Sequence, residues 1–372
     1  MLSPAKILIA CDKFKGSLDA PAVCAAISRG LAARFPQARI EQFPIADGGE
    51  GFAASLLGPL GGRWVETSAH DALGRRIHAR YLLADTFDGP LAVIEMAEAS
   101  GMWRIAPEER DILRASTFGT GEMMRHAIEQ SAAARLVIGL GGSATNDGGA
   151  GMAAALGVRF LNERGDSLEC TPQDLLGKLA QVDASRRMPL PPVTVACDVD
   201  NPLLGPRGAT SVFGPQKGAD AGSLPLLETF LERLVELSGG AGSAARPGAG
   251  AAGGLGFGLL HFASAELVPG FELLASLTGL RERIAAADLI VTGEGSLDVQ
   301  SLGGKVPVAL ARMAHAHGKP VLAFCGRADA AARQCGLFDA VHELAATGLP
   351  LDQLMSRSAE LLEQAARRAA VP

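Results

Sequence analysis

The chain is short of several things, and each shortage narrows what it can be. There is no excess of cations: 34 lysines and arginines stand against 40 aspartates and glutamates, a net charge of −6. With a sequence pI near 5.7, that balance leaves no basic stripe of the kind nucleic-acid phosphates require, and nucleic acid is set aside as a partner. Cysteines are few and scattered. Cys11, Cys24, Cys170, Cys197, Cys325 and Cys335 contain no Cys-x-x-Cys pair and have no histidine at zinc spacing, which points to buried thiols in a reducing compartment. Aromatic residues make up only 5% of the chain, whereas glycine numbers 46, so close backbone packing and loops with open dihedrals are expected. A long apolar opening is also missing. Met1 to Lys6 runs into an apolar strand of about five residues, too short for a signal peptide or a membrane span. A cytoplasmic protein with no membrane partner is expected.

What is present is a size and a grammar. At 372 residues and 48% hydrophobic, the chain can bury a full core and suggests two domains. Lys6 to Ala10 reads as a strand buried on both faces, followed by the loop Asp12-Lys13-Phe14-Lys15-Gly16. Ser17 is expected to cap a helix that carries Val23, Ile27 and Leu31 on one face. Arg39 to Ile45 reads as the next strand, ending in the loop Ala46-Asp47-Gly48-Gly49-Glu50-Gly51. Near the C-terminus Ala287 to Val291 reads as a strand ending in the loop Thr292 to Asp298, and Val306 to Ala316 as a helix entered through Pro307. Lys319 to Phe324 follows as a strand ending at Cys325-Gly326. Alternating strands and helices imply a doubly wound, flavodoxin-like parallel sheet with ligands at the carboxyl ends of its strands. The expectation is one α/β domain from residues 1–60 plus 264–372, and an inserted mixed α/β domain from residues 61–263, with a cleft between them. In the insert, a strand pair is expected around Trp64 to Tyr81, a strand at Leu91 to Met96, and another at Leu136 to Ile138.

Five polar, glycine-flanked loops could carry chemistry. They are the loops at Asp12 and Asp47, Gly139 to Gly149, Ala196 to Pro202, and Thr292 to Asp298 running on to Gly303-Gly304-Lys305. One such loop alone is an ordinary turn with a helix cap. Five of them, with carboxylates, early lysines and glycine cradles, match the needs of phosphoryl transfer. Carboxylates hold magnesium, lysines neutralise phosphate oxygens, and backbone N–H groups cradle the phosphates.

A competing reading takes Gly139-x-Gly141-x-x-Ala144 as a dinucleotide fingerprint, with Glu163 and Asp166 further on, which would make the chain a nicotinamide-dependent oxidoreductase on a small hydroxy acid. Against it, the helix is expected only near Asp147, too late for the tight glycine turn. Gly248-x-Gly250-x-x-Gly253 matches by letters but lacks a preceding strand and sits in a Gly/Ala-rich run. Walker-A spacing is absent around Gly304-Lys305. Among histidines, His315 and His317 fall on different helix faces, and His70 beside Asp71 reads as a surface residue. No Ser/His/Asp or Cys/His arrangement can be defended.

With these loops in view, the sequence resembles the bacterial glycerate kinase family, of the glycerate 2-kinase type. The resemblance is carried by Asp12-x-Phe14-Lys15-Gly16-Ser17, ADGGEG at Ala46 to Gly51, GLGGSATNDGGAG at Gly139 to Gly151 and ACDVDNPLLGPRGAT at Ala196 to Thr210. It continues through FGPQKGA at Phe213 to Ala219, GAGAAGGLG at Gly248 to Gly256 and TGEGSLDVQSLGGKVP at Thr292 to Pro307. It implies two α/β domains with a cleft, ATP and magnesium, and D-glycerate as acceptor, with 2-phosphoglycerate favoured over 3-phosphoglycerate. At Phe52, where that family more usually carries threonine, a hydroxyl contact would be missing.

Roles are assigned from chemistry. The acceptor alcohol must lose a proton as it attacks the γ-phosphorus, and a carboxylate is the economical base. Asp198 leads as base or metal ligand, with Asp47 next and Lys15 as the third catalytic candidate. Glu294 and Asp298 are the magnesium candidates. Asp12, Lys13, Ser143, Thr145, Asn146, Asp147, Asn201, Lys217, Ser301 and Lys305 are candidates to hold phosphate or substrate, against a plain surface role for each lysine. A monomer or homodimer is expected. Besides kinase and oxidoreductase, a ligand-sensing pair of domains without chemistry stays open, although it needs no set of acidic loops with lysines.

Overall fold

The structure is a computed structural model, and it describes residues 4–46, 51–302 and 305–370. Asp47, Gly48, Gly49 and Glu50 therefore lie outside the described residues, as do Gly303 and Gly304. In chain order the strands are β1 (Lys6–Cys11), β2 (Arg39–Gln42), β3 (Arg63–His70), β4 (Arg76–Thr86), β5 (Gly89–Glu95), β6 (Arg135–Gly139), β7 (Arg159–Leu161), β8 (Gln181–Asp183), β9 (Val193–Ala196), β10 (Glu266–Val268), β11 (Leu289–Leu297), β12 (Val321–Ala328) and β13 (Ala340–Glu343). The chain divides into two compact units, one made of Met1–Asp47 with Phe271–Pro372 and the other of Gly48–Gly270.

The first unit is an all-parallel sheet in the order β13-β12-β11-β1-β2. From β1 the chain steps one way to β2, then returns on the other side at β11 and continues outward. This is the flavodoxin-like order, and its switch point lies between β1 and β11. Both central strands are apolar for the reason anticipated: Ile7 to Cys11 and Leu289 to Val291 are buried because helices cover both faces. Helix Ala20–Arg34 buries Val23, Ile27 and Leu31 as its spacing requires. Its cap differs from expectation. Asp19, two residues after Ser17, accepts from the Ala22 N–H at 2.8 Å, and Pro21 opens the first turn. The Ser17 hydroxyl instead donates to Met355 O at 2.6 Å and meets Ser358 Oγ at 2.7 Å. The helix then lies against the C-terminal helix Ser358–Arg368 at Gly30, where a Cβ would fall 2.3 Å from Glu363 O.

The second unit holds a mixed sheet ordered β10-β9-β6-β5-β4-β3, in which β10, β9, β6 and β5 are parallel and β4 and β3 antiparallel. The short hairpin β7-β8 stands apart. The expected strands at Trp64 to Tyr81, Leu91 to Met96 and Leu136 to Ile138 correspond to β3 with β4, β5 and β6. Phe52 is fully buried at the start of helix Phe52–Leu57, so its side chain serves the core.

The Gly/Ala-rich run after Ser238 forms a short helix, Ala241–Ala244, then turns that lead into a second helix. Helix Ala251–Phe262 is entered through Ala252, Gly253 and Gly254, all with positive φ, of 54°, 68° and 86°. Glycine is required here for close approach as well as for dihedral freedom. A Cβ on Gly253 would sit 1.8 Å from Thr145 O, and one on Gly258 would sit 2.8 Å from Gly149 Cα. With Gly148 N donating to Gly253 O at 3.1 Å, the two glycine-rich runs pack backbone against backbone.

Candidate active site

In the first unit, chemistry gathers at the β1/β11 switch point. Asp12 follows β1, and its N–H donates to Gly293 O at 2.9 Å, while Thr292 Oγ1 donates to Ala10 O at 3.0 Å. β11 runs further than the sequence suggests. Thr292 to Leu297, expected as a loop, continues as strand against β12, with Glu294 opposite Cys325 and Leu297 opposite Ala328. Gly293 and Gly295 make this possible, because a Cβ on the first would lie 2.2 Å from Phe324 O and one on the second 3.3 Å from Lys15 N.

Glu294 is the most perturbed carboxylate of this edge. It is 8% exposed and its Oε1 is buried with no hydrogen-bond partner. Burial pushes it up to about 7; Ser301 and Lys305 pull the other way, and the charges of Asp12 and Asp298 add to the rise. Asp298 and Ser301 cap one another reciprocally, Ser301 N to Asp298 Oδ1 and Asp298 N to Ser301 Oγ, each at 3.2 Å. Lys305 precedes helix Val306–Ala316 as its N-cap residue. Lys13 is half-buried and Lys15 exposed. The structure thus brings Asp12, Glu294, Asp298, Ser301 and Lys305 into one electrostatic neighbourhood.

That neighbourhood fits a magnesium ion delivered with nucleotide phosphates better than a resident one. Among the described residues no group of three His, Cys, Asp or Glu side chains is arranged to hold a metal. Magnesium in nucleotide sites needs only one or two carboxylates, with phosphate oxygens and water completing the octahedron. The orphaned Glu294 Oε1, beside the negative charge of Asp298, suits that partial role.

The second unit assembles its polar groups at the carboxyl ends of β5, β6 and β9, where Glu95 pairs with Gly139 and Gly139 with Ala196. From Gly139 the chain runs as loop until helix Ala150–Ala155, so the tight turn of a dinucleotide fingerprint is not formed. Lys217, on the short 3-10 helix Pro215–Lys217, turns inward and is 3% exposed. Its Nζ donates to Ser143 Oγ and Thr145 O, both at 2.7 Å. Burial pulls the amine down to about 7, and the nearby Asp147 charge offsets part of the fall. An ammonium has three donors, and these contacts use two.

Other nominated residues have different employment. Asp147 is fully buried and accepts from Thr117 N at 2.7 Å, Thr117 Oγ1 at 2.8 Å, and Gly149 N and Gly151 N at 3.1 Å each. Its side chain organises two helix starts. Asn146 Nδ2 donates to Thr210 Oγ1 at 3.0 Å, leaving Oδ1 buried without a partner. Asn201 Nδ2 closes its own loop on Arg207 O at 2.8 Å. Asp198 is exposed after β9, and its Oδ1 accepts from Gly270 N at 2.9 Å. His70 pairs with Glu122 at 3.0 Å and Asp71 with Arg75 at 2.6 Å, so each is engaged by a neighbouring side chain. A surface cleft of about 560 Å³ beside Asn162, Lys178 and Phe230 is lined by none of the nominated residues.

Two residues escaped the sequence reading. Glu95 ends β5 and accepts from Gly51 N at 3.2 Å and Ala53 N at 2.8 Å, tying the end of the Ala46 to Gly51 block to the sheet. The signal available was a carboxylate closing an apolar strand, but no glycine follows to mark it. Arg110, whose Nε is buried without a partner, lies in the connection beyond β5 and leaves no signal of spacing.

A model of the glycerate kinase family matches residues 7–371. A glycerate kinase of Halalkalibacterium halodurans is 41% identical, covering 98% of this chain and 97% of its own. A glycerate 2-kinase of Escherichia coli is 40% identical, covering 86% of this chain and 85% of its own. A crystal structure named for glycerate kinase 2, from Salmonella typhimurium LT2, superimposes with a TM-score of 0.85 at 38% identity, covering 97% of this chain and 96% of its own.

Proposed function

The chain belongs to the glycerate kinase family, and from that premise we propose that it transfers the γ-phosphoryl group of ATP to the 2-hydroxyl of D-glycerate, giving 2-phosphoglycerate and ADP. Phosphorylation of glycerate follows from the family itself. The donor, the metal and the carbon are our reading, and the relative named glycerate 2-kinase favours carbon 2.

The observation that carries the reading is the buried Lys217 ammonium, hydrogen-bonded to Ser143 Oγ and Thr145 O with one donor to spare. A desolvated cation beside a glycine-rich loop is a receptor for phosphate oxygen, whose charge would restore what burial removes. Ser143, Thr145 and Asn146 line that receptor. Asp198 is the proposed base, aligned by its bond to Gly270 N, with Asp47 second and Lys15 neutralising developing charge. In the other unit Glu294 and Asp298 would hold magnesium, with Asp12, Lys13, Ser301 and Lys305 around the phosphates. Held there, magnesium would supply positive charge against the negative charge developing in transfer. We take the two units as the two domains of a cytoplasmic enzyme, monomeric or homodimeric.

The test is incubation with D-glycerate and ATP-magnesium, following ADP release and identifying the product by carbon and phosphorus NMR. A phosphate on carbon 2, formed with magnesium and lost in excess chelator, supports the reading. Phosphate on carbon 3, undiminished turnover in chelator, or reduction of a nicotinamide in place of ADP release would each overturn its corresponding part.

A further inference from the structure

We infer that Arg110 is the carboxylate-recognition residue of the acceptor site, carried on a segment fastened to the loop that holds Ser143. The inference rests on glycerate being the acceptor. Glycerate's one permanent charge is its carboxylate, and a protein of net charge −6 needs a dedicated cation to hold it. A guanidinium binds a carboxylate through two parallel N–H bonds, fixing its plane as well as its position.

Arg110 is placed for this by three independent anchors. Its backbone touches the turn after Lys217: a Cβ on Gly218 would lie 3.4 Å from both Arg110 Cβ and Arg110 O. Gly218 holds φ of 98°, a turn conformation that favours glycine. Upstream, Gly101 pairs with Ser143 in antiparallel sense, and Met102 N donates to Gly142 O at 2.8 Å. On either side of Arg110, Ile105 and Ala115 pack with Ala144 and Ala72 in one small apolar cluster. The segment from Gly101 to Ala115 is therefore fastened at both ends to the loop whose Ser143 hydroxyl accepts from Lys217.

Arg110 also stands unspent. Its Nε is buried without a hydrogen-bond partner, and among the described residues no carboxylate pairs with it. The acids beside it are occupied: Glu109 accepts from Arg75 Nη1 at 3.1 Å, and Asp111 Oδ1 accepts from Leu113 N and Arg114 N. Arg75 is committed to Asp71 and Arg104 to Glu98, while Arg114 is exposed to solvent. A buried donor left unsatisfied costs free energy that a ligand oxygen would return. Lys217, with its compact charge, would take a phosphate oxygen, while the planar fork of Arg110 reads the acceptor.

The test compares wild type with Arg110→Gln and Arg110→Lys in steady-state kinetics, varying D-glycerate and ATP separately, alongside thermal unfolding of each protein. Loss of a charged, two-bonded contact should raise KM for D-glycerate by roughly tenfold to a hundredfold, with KM for ATP changing less than about threefold. Arg110→Lys should recover only part of the loss, because an ammonium cannot reproduce the fork. If Arg110→Gln does not fold, Arg110→Lys carries the comparison. An unchanged KM for D-glycerate in a folded variant overturns the inference, and so does a rise confined to ATP, which would place the guanidinium on the nucleotide. A wild-type enzyme inert toward D-glycerate with ATP-magnesium would instead sink the function on which the inference rests.

Discussion

Removing the buried charge at Lys217 should change the pH dependence of stability in a calculable way. Burial lowers the amine from its ordinary 10.5 to about 7. Between those values the unfolded chain binds a proton that the folded chain does not, so stability rises with pH across this window and falls as pH drops toward 7. Each tenfold loss of proton affinity is worth about 1.4 kcal/mol, so the charged amine costs the fold roughly 5 kcal/mol at about pH 6 and roughly 1.5 kcal/mol at about pH 9.5. Lys217→Met abolishes this dependence. It also orphans Thr145 O, a loss of about 1–3 kcal/mol that does not vary with pH. The wild-type protein should therefore gain about 3 kcal/mol on the variant between about pH 6 and about pH 9.5. The chain has two tryptophans, Trp64 and Trp103, and both fall in the Gly48–Gly270 unit. Urea unfolding followed by their fluorescence thus reports on the right part of the molecule. Parallel stability curves for the two proteins would refute the reasoning, since they would mean that Lys217 keeps an ordinary ammonium in the fold.

Two further outcomes follow from particular contacts. Asp198→Asn retains an oxygen to accept from Gly270 N while losing the charge a base requires, so kcat should fall roughly a hundredfold or more with the thermal midpoint unchanged; near-normal turnover would move the base to Asp47 or elsewhere. Gly253→Ala adds a methyl 1.8 Å from Thr145 O at a φ of 68°, and should cost about 3 kcal/mol or more by urea unfolding, whereas a wild-type midpoint would show that the two glycine runs can part.

The parallel sheets were legible because strands covered on both faces need unbroken apolar runs, and Lys6 to Cys11 and Leu289 to Val291 supply them. Helix Val306–Ala316 was legible because Pro307 suits only its first turn. The cap of helix Ala20–Arg34 was misassigned because Ser17 and Asp19 are both good caps, and Ser17 is engaged by Met355 and Ser358, remote partners that sequence does not reveal. The extension of β11 through Thr292 to Leu297 was hidden by two glycines that read as turn residues. They are there because neighbouring backbone leaves no room for a side chain. Asp147 looked like a phosphate ligand by its company, yet its four short contacts to Thr117, Gly149 and Gly151 are the loop's internal support. Arg110 left no trace in the sequence because its placement depends on Gly218 and on the pairing of Gly101 and Met102 with Ser143 and Gly142, contacts that bring together distant parts of the chain.

The same contacts explain why one loop needs so much glycine and so many buried polar groups. A loop that is to hold Lys217 with no carboxylate hydrogen-bonded to its amine must be rigid, or it would relax to let water reach it. Rigidity comes from the seam of Gly148 and Gly149 against Gly253, Gly254 and Gly258, where backbones touch with no side chain between them, and from Asp147 pinning the starts of helix Phe118–Glu129, which precedes it, and helix Ala150–Ala155, which follows. Against that frame, the unpaired Asn146 Oδ1 and the spare donor of Lys217 are polar capacity withheld from the protein itself. Such capacity costs stability in the empty protein and is recovered only when a ligand brings matching atoms. A phosphate-bearing substrate should therefore stabilise the Gly48–Gly270 unit more strongly at about pH 6, where the amine is charged and its cost greatest, than at about pH 9.5. Urea midpoints taken with and without ADP at both values decide this: a midpoint shift from ADP that is equal at the two pH values, or larger at the higher one, would separate the nucleotide from Lys217.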